Sequence, residues 1–291
     1  ASSLPGSPPA SLLGSKDRMV DQVFTRVRVR SNWRDYVGLL RFPYHASFVG
    51  VLLGVLIVTR HWRGALVWRI FLLYVSMTVL LYGGLYTLNA ITDAGADSRH
   101  PFKRSRPVAS GAISSKVAGV FAAGLIVAGF ATSWAWLGSE IMPVYLLLFA
   151  LNVSYSLLFR NLFILDVLFN SATHPPRFWL GMWLAGVGDG GLEWEWLTLV
   201  FLFAVGMSAS RRSVLMDHGA WASSGPLARY SKLNLLAIKG VALCAIVFLW
   251  VLHQPNFQIP YLVTVCAYVV LVGGIEAVPK IRSAFEKLWL R

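Results

Sequence analysis

Long apolar runs separated by short polar stretches occupy most of the chain between residues 42 and 277. A helix that crosses a bilayer needs about 20 mostly apolar residues. The pattern supplies such runs at 42–59, 65–90, 115–137, 141–158, 161–186, 195–210, 233–252 and 258–277. The fourth run is short and nearly continuous with the fifth, so seven or nine spans are alternatives to eight. A membrane β-barrel would show short alternating segments instead of uninterrupted runs, and we therefore predict an all-α polytopic membrane protein.

The stretches outside these runs differ in composition and divide the chain further. Residues 1–16 are rich in Ser, Pro and Gly, which predicts a disordered tail. Residues 17–41 alternate apolar side chains with Arg, a pattern typical of an amphipathic segment on an anionic membrane surface. We assign 42–280 to one transmembrane domain and 281–291 to a cytoplasmic C-terminal tail. The two largest polar loops follow the second and sixth spans, which indicates two four-helix halves that share one site.

The charge of the chain also fits a membrane protein. Charged residues make up 13% of the chain, against about 25% in soluble domains, and the mean hydropathy is +0.61. The net charge of +13 comes mainly from Lys and Arg in alternate loops, which the positive-inside rule places in the cytoplasm. We therefore predict both termini on the cytoplasmic side of the plasma (inner) membrane and no nucleic-acid partner. Cys244 and Cys266 lie in apolar runs, so we expect neither a disulfide framework nor a zinc site.

The stretch "NAITDAGADSRHPFKRSRP" (89–107) places charge at the end of the second span. Asn89, Asp93 and Asp97 are spaced at i, i+4 and i+8, and on a helix they form one stripe. Two carboxylates and an amide oxygen are hard ligands of the kind that Mg²⁺ prefers. Mg²⁺ usually binds through one or two carboxylates together with substrate phosphates. The stripe therefore predicts a metal site that a phosphorylated substrate completes.

Three cationic side chains, Lys103, Arg104 and Arg106, follow the stripe closely. Arginine binds phosphate oxygens bidentately and lysine adds a point charge, so the loop predicts a clamp for a diphosphate. We assign Asp93, Asp97 and Arg104 as catalytic residues, because such a clamp stabilises charge on a departing diphosphate. The alternative is that these charges only reach for the membrane boundary. That alternative suits the cations better than the carboxylates, which gain nothing from an anionic leaflet.

This stretch resembles the first signature of the UbiA superfamily of membrane prenyltransferases, N-D-x-x-D-x-x-x-D, with Ala90 in place of the first aspartate. Its continuation, "DSRHPFKRSRPVASG" (97–111), is similar to the decaprenyl-phosphate phosphoribosyltransferase branch. The resemblance implies a transferase domain with a ring of helices around a central cavity, which two polar loops cap and in which Mg²⁺ and a diphosphate bind. In most of the superfamily the diphosphate belongs to a prenyl donor. In the phosphoribosyl branch it belongs to phosphoribosyl pyrophosphate, and polyprenyl phosphate is the acceptor.

The second half of the chain departs from the usual superfamily pattern. A second motif, D-x-x-x-D, is expected after the sixth span, but only Asp217 is present, and Trp221 stands four residues later. Arg211 and Arg212 match the basic pair of the phosphoribosyl branch, as Tyr155 and Arg160 match its fourth-span region. The resemblance thus implies an anion-binding loop here instead of a second metal site.

The fifth span carries two charges inside the predicted bilayer, Asp166 and Arg177. A charge there is costly unless it faces a cavity or a partner. The two residues are eleven apart, close to three helical turns, so we predict that they share a face and bind substrate in the cavity. A structural ion pair is the alternative. The stretch "HPPR" (174–177) should break this helix, and it is absent from the phosphoribosyl branch.

These observations favour an Mg²⁺-dependent membrane transferase that uses a polyprenyl substrate and releases diphosphate. The leading hypothesis is phosphoribosyl transfer from phosphoribosyl pyrophosphate to polyprenyl phosphate. The first alternative is transfer of a prenyl chain from its diphosphate to an aromatic or other small acceptor. The second is a transporter or a scaffold that retains the fold without catalysis.

Overall fold

A computed structural model describes residues 31–59, 62–99, 103–186, 194–217, 229–252 and 258–289. The predicted tail (1–16) and most of the amphipathic segment (17–41) lie outside these residues. In the described part the chain is helical, and we number its helices α1 to α10. They are α1 Trp33–Val58, α2 Gly64–Asp97, α3 Ser115–Leu137, α4 Ser139–Phe159, α5 Leu165–Ala172, α6 His174–Leu184, α7 Trp194–Asp217, α8 Lys232–Leu252, α9 Ile259–Ala277 and α10 Pro279–Trp289.

Seven of the described helices are long and apolar enough to cross a membrane: α1 to α4 and α7 to α9. The remaining predicted span (161–186) is divided into α5 and α6 at Thr173. The break falls where the sequence predicted it, because Pro175 and Pro176 have no backbone N–H and fit only the first turn of a new helix. With α5 and α6 counted as one broken crossing, the predicted all-α architecture of about eight spans is confirmed.

The boundaries at both ends of the membrane domain differ from those predicted. The first span begins at Trp33 instead of residue 42, since the helical turns of Trp33–Leu39 run into a 3₁₀ segment at Phe42–Phe48. Residues 281–289 of the predicted C-terminal tail belong to α10, which is helical to Trp289.

Helices α1 and α6 pack with their backbones in contact. A Cβ atom on Gly54 would lie 2.1 Å from the carbonyl oxygen of Phe178, and one on Gly181 would lie 2.0 Å from that of Val51. Small residues of this kind let membrane helices approach closely, and van der Waals packing then stabilises them. The contact joins the second part of the broken crossing to the first helix of the chain.

Two hydrophobic clusters form the interior of the bundle. The first joins α1, α2, α3, α4 and α6, with Met77, Tyr145 and Leu180 among its buried members. The second joins α5, α7, α8 and α9. The predicted division into two four-helix halves is therefore incomplete, because the break at Thr173 gives α5 to the second cluster and α6 to the first.

The direction of the helices places the polar side chains of the site at one end of the bundle. Helices α2, α4 and α7 end where α1, α3, α5 and α8 begin, since successive crossings alternate in direction. Helix α2 has 34 residues and is about 50 Å long, which exceeds the roughly 30 Å hydrocarbon core. A helix of this length extends past the hydrocarbon core unless it is strongly tilted, and its last turns carry the acidic stripe.

Candidate active site

The predicted stripe is present on the last turns of α2. Asn89, Asp93 and Asp97 all lie within the helix Tyr82–Asp97, and each oxygen group has a donor from another part of the chain. Ser156 Oγ donates to Asn89 Oδ1 at 2.7 Å. Arg160 donates to Asp93 Oδ1, and Arg106 Nη1 donates to Asp97 Oδ2 at 2.7 Å.

The basic partners of the stripe come from two loops. Arg106 belongs to the loop between α2 and α3, and Arg160 follows the π-helical last turn of α4. Arg104, which we predicted to be catalytic, is exposed, and the two carboxylates accept hydrogen bonds from Arg106 and Arg160. The adjacent predicted residues His100 and Pro101 lie outside the described part of the chain.

The loop between α2 and α3 is folded back onto the end of α2. A hydrophobic cluster of Leu39, Ala90, Val108, Ile113 and Ala118 anchors it, and Ser114 caps α3 by accepting from the backbone N–H of Val117. Ala90, which replaces an aspartate of the motif, is 5% exposed within this cluster. Alanine has no side-chain oxygen, so the oxygen set on this part of α2 consists of Asn89, Asp93 and Asp97.

The oxygen set suits a hard divalent cation. Two carboxylates and an amide oxygen on one helical face are the ligand types that Mg²⁺ takes. In the described part of the chain no three Asp, Glu, His or Cys side chains come together, so the protein supplies part of the coordination sphere. Asn89, Asp93 and Asp97 would hold the ion, and substrate phosphates or water would complete its ligands.

A second polar network lies at the same end of the bundle, between α5 and α7. Asp166 has no exposed surface. It accepts from Arg212 Nε at 2.8 Å and from the hydroxyl of Tyr230. Arg212 Nη2 also donates to the hydroxyl of Tyr155 at 3.2 Å. The network brings together three predicted site residues, Tyr155, Asp166 and Arg212, and it fixes the guanidinium of Arg212 in place.

The predicted shared face of Asp166 and Arg177 is wrong. The helix break at Thr173 separates the two residues, so Asp166 pairs with Arg212 while Arg177 contacts Tyr82. Arg177 is 5% exposed, its Nε donates to the Tyr82 hydroxyl at 3.2 Å, and its Cζ lies 4.4 Å from the centre of the Tyr82 ring. Tyr82 also accepts from Asn152 Nδ2 at 3.0 Å. Arg177 is therefore a buried cation with neutral partners in the described structure.

Asp217 is not in contact with the other predicted site residues in the described structure. Its carboxylate accepts from Lys232 Nζ at 2.9 Å and from Arg282. These ion pairs join the end of α7 to the start of α8 and to α10. Residues 218–228, which include Trp221, lie outside the described part of the chain.

Sequence reasoning missed Arg41 and Tyr44, which belong to α1. Arg41 Cζ lies 5.9 Å from the centre of the Tyr44 ring, and the electrostatic neighbours of Arg41 include Asp93, Asp97 and Arg106. Tyr44 has Lys103 and Arg211 among its electrostatic neighbours. These residues could have been predicted from chain direction. Successive spans are antiparallel, so the start of the first span lies at the same end of the bundle as the end of the second.

Two groups outside the spans have shifted pKa values. Burial, followed by the positive charge of Arg106, lowers the pKa of Lys103. Burial, followed by the hydrogen bond to Asp166, raises the pKa of Tyr230. The Tyr230 phenol therefore stays protonated and donates a hydrogen bond to the Asp166 carboxylate.

A sequence profile of the UbiA prenyltransferase family matches residues 47–277 of this chain. The chain belongs to the UbiA prenyltransferase family. As a family member it is an integral membrane protein, in agreement with its apolar helices.

Two curated relatives differ in what they transfer. Decaprenyl-phosphate phosphoribosyltransferase of Mycolicibacterium smegmatis is 30% identical over 134 residues, which are 46% of this chain and 41% of that protein. Protoheme IX farnesyltransferase of Thermus thermophilus is 28% identical over 181 residues, or 60% of this chain and 28% of that protein. The chain thus spans less than half the length of the curated relatives it matches.

The fold also matches solved structures. A UbiA homologue from Archaeoglobus fulgidus, solved with GPP and Mg²⁺, aligns with a TM-score of 0.68. The two are 15% identical, and the alignment covers 88% of this chain and 95% of the homologue. At this identity the match shows that the two proteins share a fold.

Proposed function

We propose that this UbiA family member transfers phosphoribose from phosphoribosyl pyrophosphate to polyprenyl phosphate and releases diphosphate. The observation that carries the proposal is the single acidic stripe, whose two carboxylates accept hydrogen bonds from Arg106 and Arg160. The second half offers Arg211 and Arg212, while its lone motif aspartate, Asp217, is held by Lys232 and Arg282. Such a cationic site suits substrates that bring several phosphate groups.

The stripe and its loops would hold the donor's diphosphate. Asn89, Asp93 and Asp97 would bind Mg²⁺, as the solved homologue with GPP and Mg²⁺ supports. When bound, the ion supplies positive charge that neutralises the leaving diphosphate. Lys103, Arg106 and Arg160 would bind diphosphate oxygens and stabilise the charge that develops as the carbon–oxygen bond breaks.

The partners of the four site aspartates also favour a phosphate acceptor. Asp93, Asp97, Asp166 and Asp217 each accept a hydrogen bond from an arginine. A phosphate dianion attacks the donor carbon through an oxygen that carries no proton, so phosphoribosyl transfer needs no general base. Prenylation of an aromatic carbon must remove a ring proton, and a carboxylate bound to arginine is a weak base for that step.

Arg177 supports the second candidate, prenyl transfer to a small acceptor. A lone buried guanidinium is suited to the carboxylate of an aromatic acid, and the farnesyltransferase relative shows that prenyl transfer occurs among similar proteins. This candidate uses the same stripe, and it differs from the first in the donor and in the acceptor.

The test is a transfer assay with the purified full chain in detergent. The protein is incubated with Mg²⁺, polyprenyl phosphate and labelled phosphoribosyl pyrophosphate, and label in the lipid phase is measured. We expect transfer by the native protein, a loss of about 100-fold or more in Asp93→Asn, and no loss in Glu140→Gln, an exposed acid at the opposite end of the bundle. Label from a prenyl diphosphate on an aromatic acid, with none from phosphoribosyl pyrophosphate, would establish the second candidate. Transfer of neither label by the native protein would favour a scaffold or transporter, and equal transfer by Asp93→Asn and the native protein would reject the role of the stripe.

A further inference from the structure

Two arginines at the site end of the bundle have buried guanidinium nitrogens without a hydrogen-bond partner. They are Arg41, through Nη2, and Arg211, through Nε, within the part of the chain that the structure describes. A buried donor without an acceptor costs about 1–3 kcal/mol, and folded proteins rarely leave one unpaired. The two nitrogens therefore indicate an acceptor that the described part of the chain does not provide.

The two arginines come from opposite parts of the bundle, and the charges of both act on one side chain, that of Tyr44. Arg41 is on α1 and Arg211 is near the end of α7, and both are electrostatic neighbours of Tyr44. Arg41 also has a φ of +51°, a left-handed conformation that is costly for a residue with a Cβ atom. Such a conformation persists only where the surrounding structure fixes it, and the Arg41 Cζ lies 5.9 Å from the centre of the Tyr44 ring.

The nearby carboxylates do not neutralise these arginines by hydrogen bonding. Asp97 accepts from Arg106, and Asp93 accepts from Arg160. Lys103 and Arg106 add further positive charge around Tyr44. The space next to Tyr44 therefore has an excess of cationic donors, and it favours a ligand with more than one negative charge.

We propose that Arg41, Tyr44 and Arg211 form a subsite for a phosphate monoester dianion, separate from the diphosphate site on the stripe. The proposal rests on the proposed function and names the place of its second phosphate group. Two guanidinium groups would donate to the phosphate oxygens, and the Tyr44 hydroxyl would add a third donor. Two sources have this chemistry: the phosphate of the lipid acceptor and the 5-phosphate of the sugar donor.

The test is equilibrium binding to the purified full chain in detergent. The probes are geranyl monophosphate for the lipid source, ribose 5-phosphate for the sugar source, and Mg²⁺ with pyrophosphate for the stripe. Arg41→Gln and Arg211→Gln should each weaken binding of at least one monophosphate about 10- to 100-fold and leave Mg²⁺–pyrophosphate binding unchanged. The monophosphate that loses affinity identifies the source.

Arg69→Gln is the matched control. Arg69 Cζ lies 4.9 Å from the centre of the Trp183 ring, and Arg69 is about 40 Å from Asp97 along α2. This variant should bind all three probes like the native protein. Unfolding profiles establish that each variant is folded, and Arg41→Lys and Arg211→Lys replace any glutamine variant that is not, with a smaller loss expected because lysine cannot bind bidentately.

Unchanged affinity for both monophosphates in the Arg41 and Arg211 variants would overturn the subsite. An equal loss of Mg²⁺–pyrophosphate affinity would also overturn it, since these arginines would then belong to the diphosphate site. The proposed function fails separately: monophosphate binding that depends on Arg41 and Arg211, combined with no phosphoribosyl transfer, would leave the subsite standing and reject the reaction.

Discussion

Each oxygen group on the α2 stripe has a hydrogen-bond donor in this structure, and two of the three donors are arginines. A ligand at Asp93 or Asp97 therefore competes with Arg160 or Arg106 for the carboxylate. Guanidinium groups released in this way are suited to phosphate oxygens. Arg106 and Arg160 would thus bond the carboxylates when no ligand is bound and the phosphate oxygens when the substrate is bound.

Lys103 gives the site a pH dependence that can be measured. Burial and Arg106 lower its pKa, so it loses its proton at a lower pH than the roughly 10.4 of an ordinary lysine. The neutral amine binds phosphate less well, and affinity for the diphosphate substrate should fall as the pH rises through this lowered pKa. Lys103→Arg should move the decline to higher pH, because arginine stays protonated. A KM profile measured between pH 7 and 10 checks this, and an identical decline in Lys103→Arg would contradict it.

Asp166 and Asp217 differ in burial, and their substitutions should differ in cost. Asp166→Asn leaves Arg212 buried without its counter-charge, which should lower the free energy of unfolding by about 3–5 kcal/mol. The side chains of Asp217 and Arg282 are 28% and 24% exposed. Asp217→Asn should therefore lower the free energy of unfolding by less than about 1 kcal/mol. Unfolding in mixed detergent micelles compares the two. Equal destabilisation would show that the Asp166 network is not structurally more important than a surface ion pair.

At the scale of elements, the break between α5 and α6 determines which partners Asp166 and Arg177 contact. Helix α5 carries Asp166 to Arg212, whereas α6 packs on α1 and carries Arg177 to Tyr82. A continuous helix could not provide both contacts, since it would hold the two residues on one face. The proline pair therefore separates a structural carboxylate from a buried cation.

The close contact of α1 and α6 predicts a steric effect. Gly181→Ala would place a Cβ atom 2.0 Å from the backbone oxygen of Val51, so the helices must move apart, at a cost of about 1–3 kcal/mol. Gly124→Ala on α3 is the control, because nothing lies within 4 Å of its Cβ position, and alanine is a better helix former. We expect thermal unfolding in detergent to be lowered in the first variant and unchanged or raised in the second. No difference between them would contradict the close packing.

Sequence patterns predicted most elements but fewer contacts. The apolar runs predicted the spans, because the length of a run can be counted in the sequence. The spacing of Asn89, Asp93 and Asp97 predicted the stripe, because residues four apart lie on one face of a helix. The partners of these residues depend on tertiary packing. Arg160 bonds Asp93 from the end of another helix, and Ala90 is buried in one cluster with Val108. Neither contact follows from residue spacing within one helix.

At the scale of the whole molecule, the cationic side chains of the site lie at one end of the bundle. The site residues, the loop between α2 and α3 and the end of α7 share this end. We propose that this end faces the cytoplasm, because the positive-inside rule favours Lys and Arg there. The proposed phosphoribosyl donor is a water-soluble sugar phosphate, and it would reach the site from that side.

Single cysteines test this orientation. Cys244 and Cys266 are first replaced, and cysteine is introduced at Ser105 beside the site or at Ser139 at the start of α4. In intact cells a membrane-impermeant thiol reagent should label Ser139→Cys, and it should label Ser105→Cys only after permeabilisation. The reverse pattern would contradict a cytoplasmic site.

The central claim is that the α2 stripe holds a divalent metal together with a diphosphate. Its most direct measurement is the binding of Mn²⁺, as a spectroscopic substitute for Mg²⁺, to the purified full chain with and without pyrophosphate. Electron paramagnetic resonance should show bound Mn²⁺ that increases with pyrophosphate in the native protein and in Glu140→Gln, and a large loss of it in Asp93→Asn and Asp97→Asn. Native-like Mn²⁺ and pyrophosphate binding in both aspartate variants would contradict the claim.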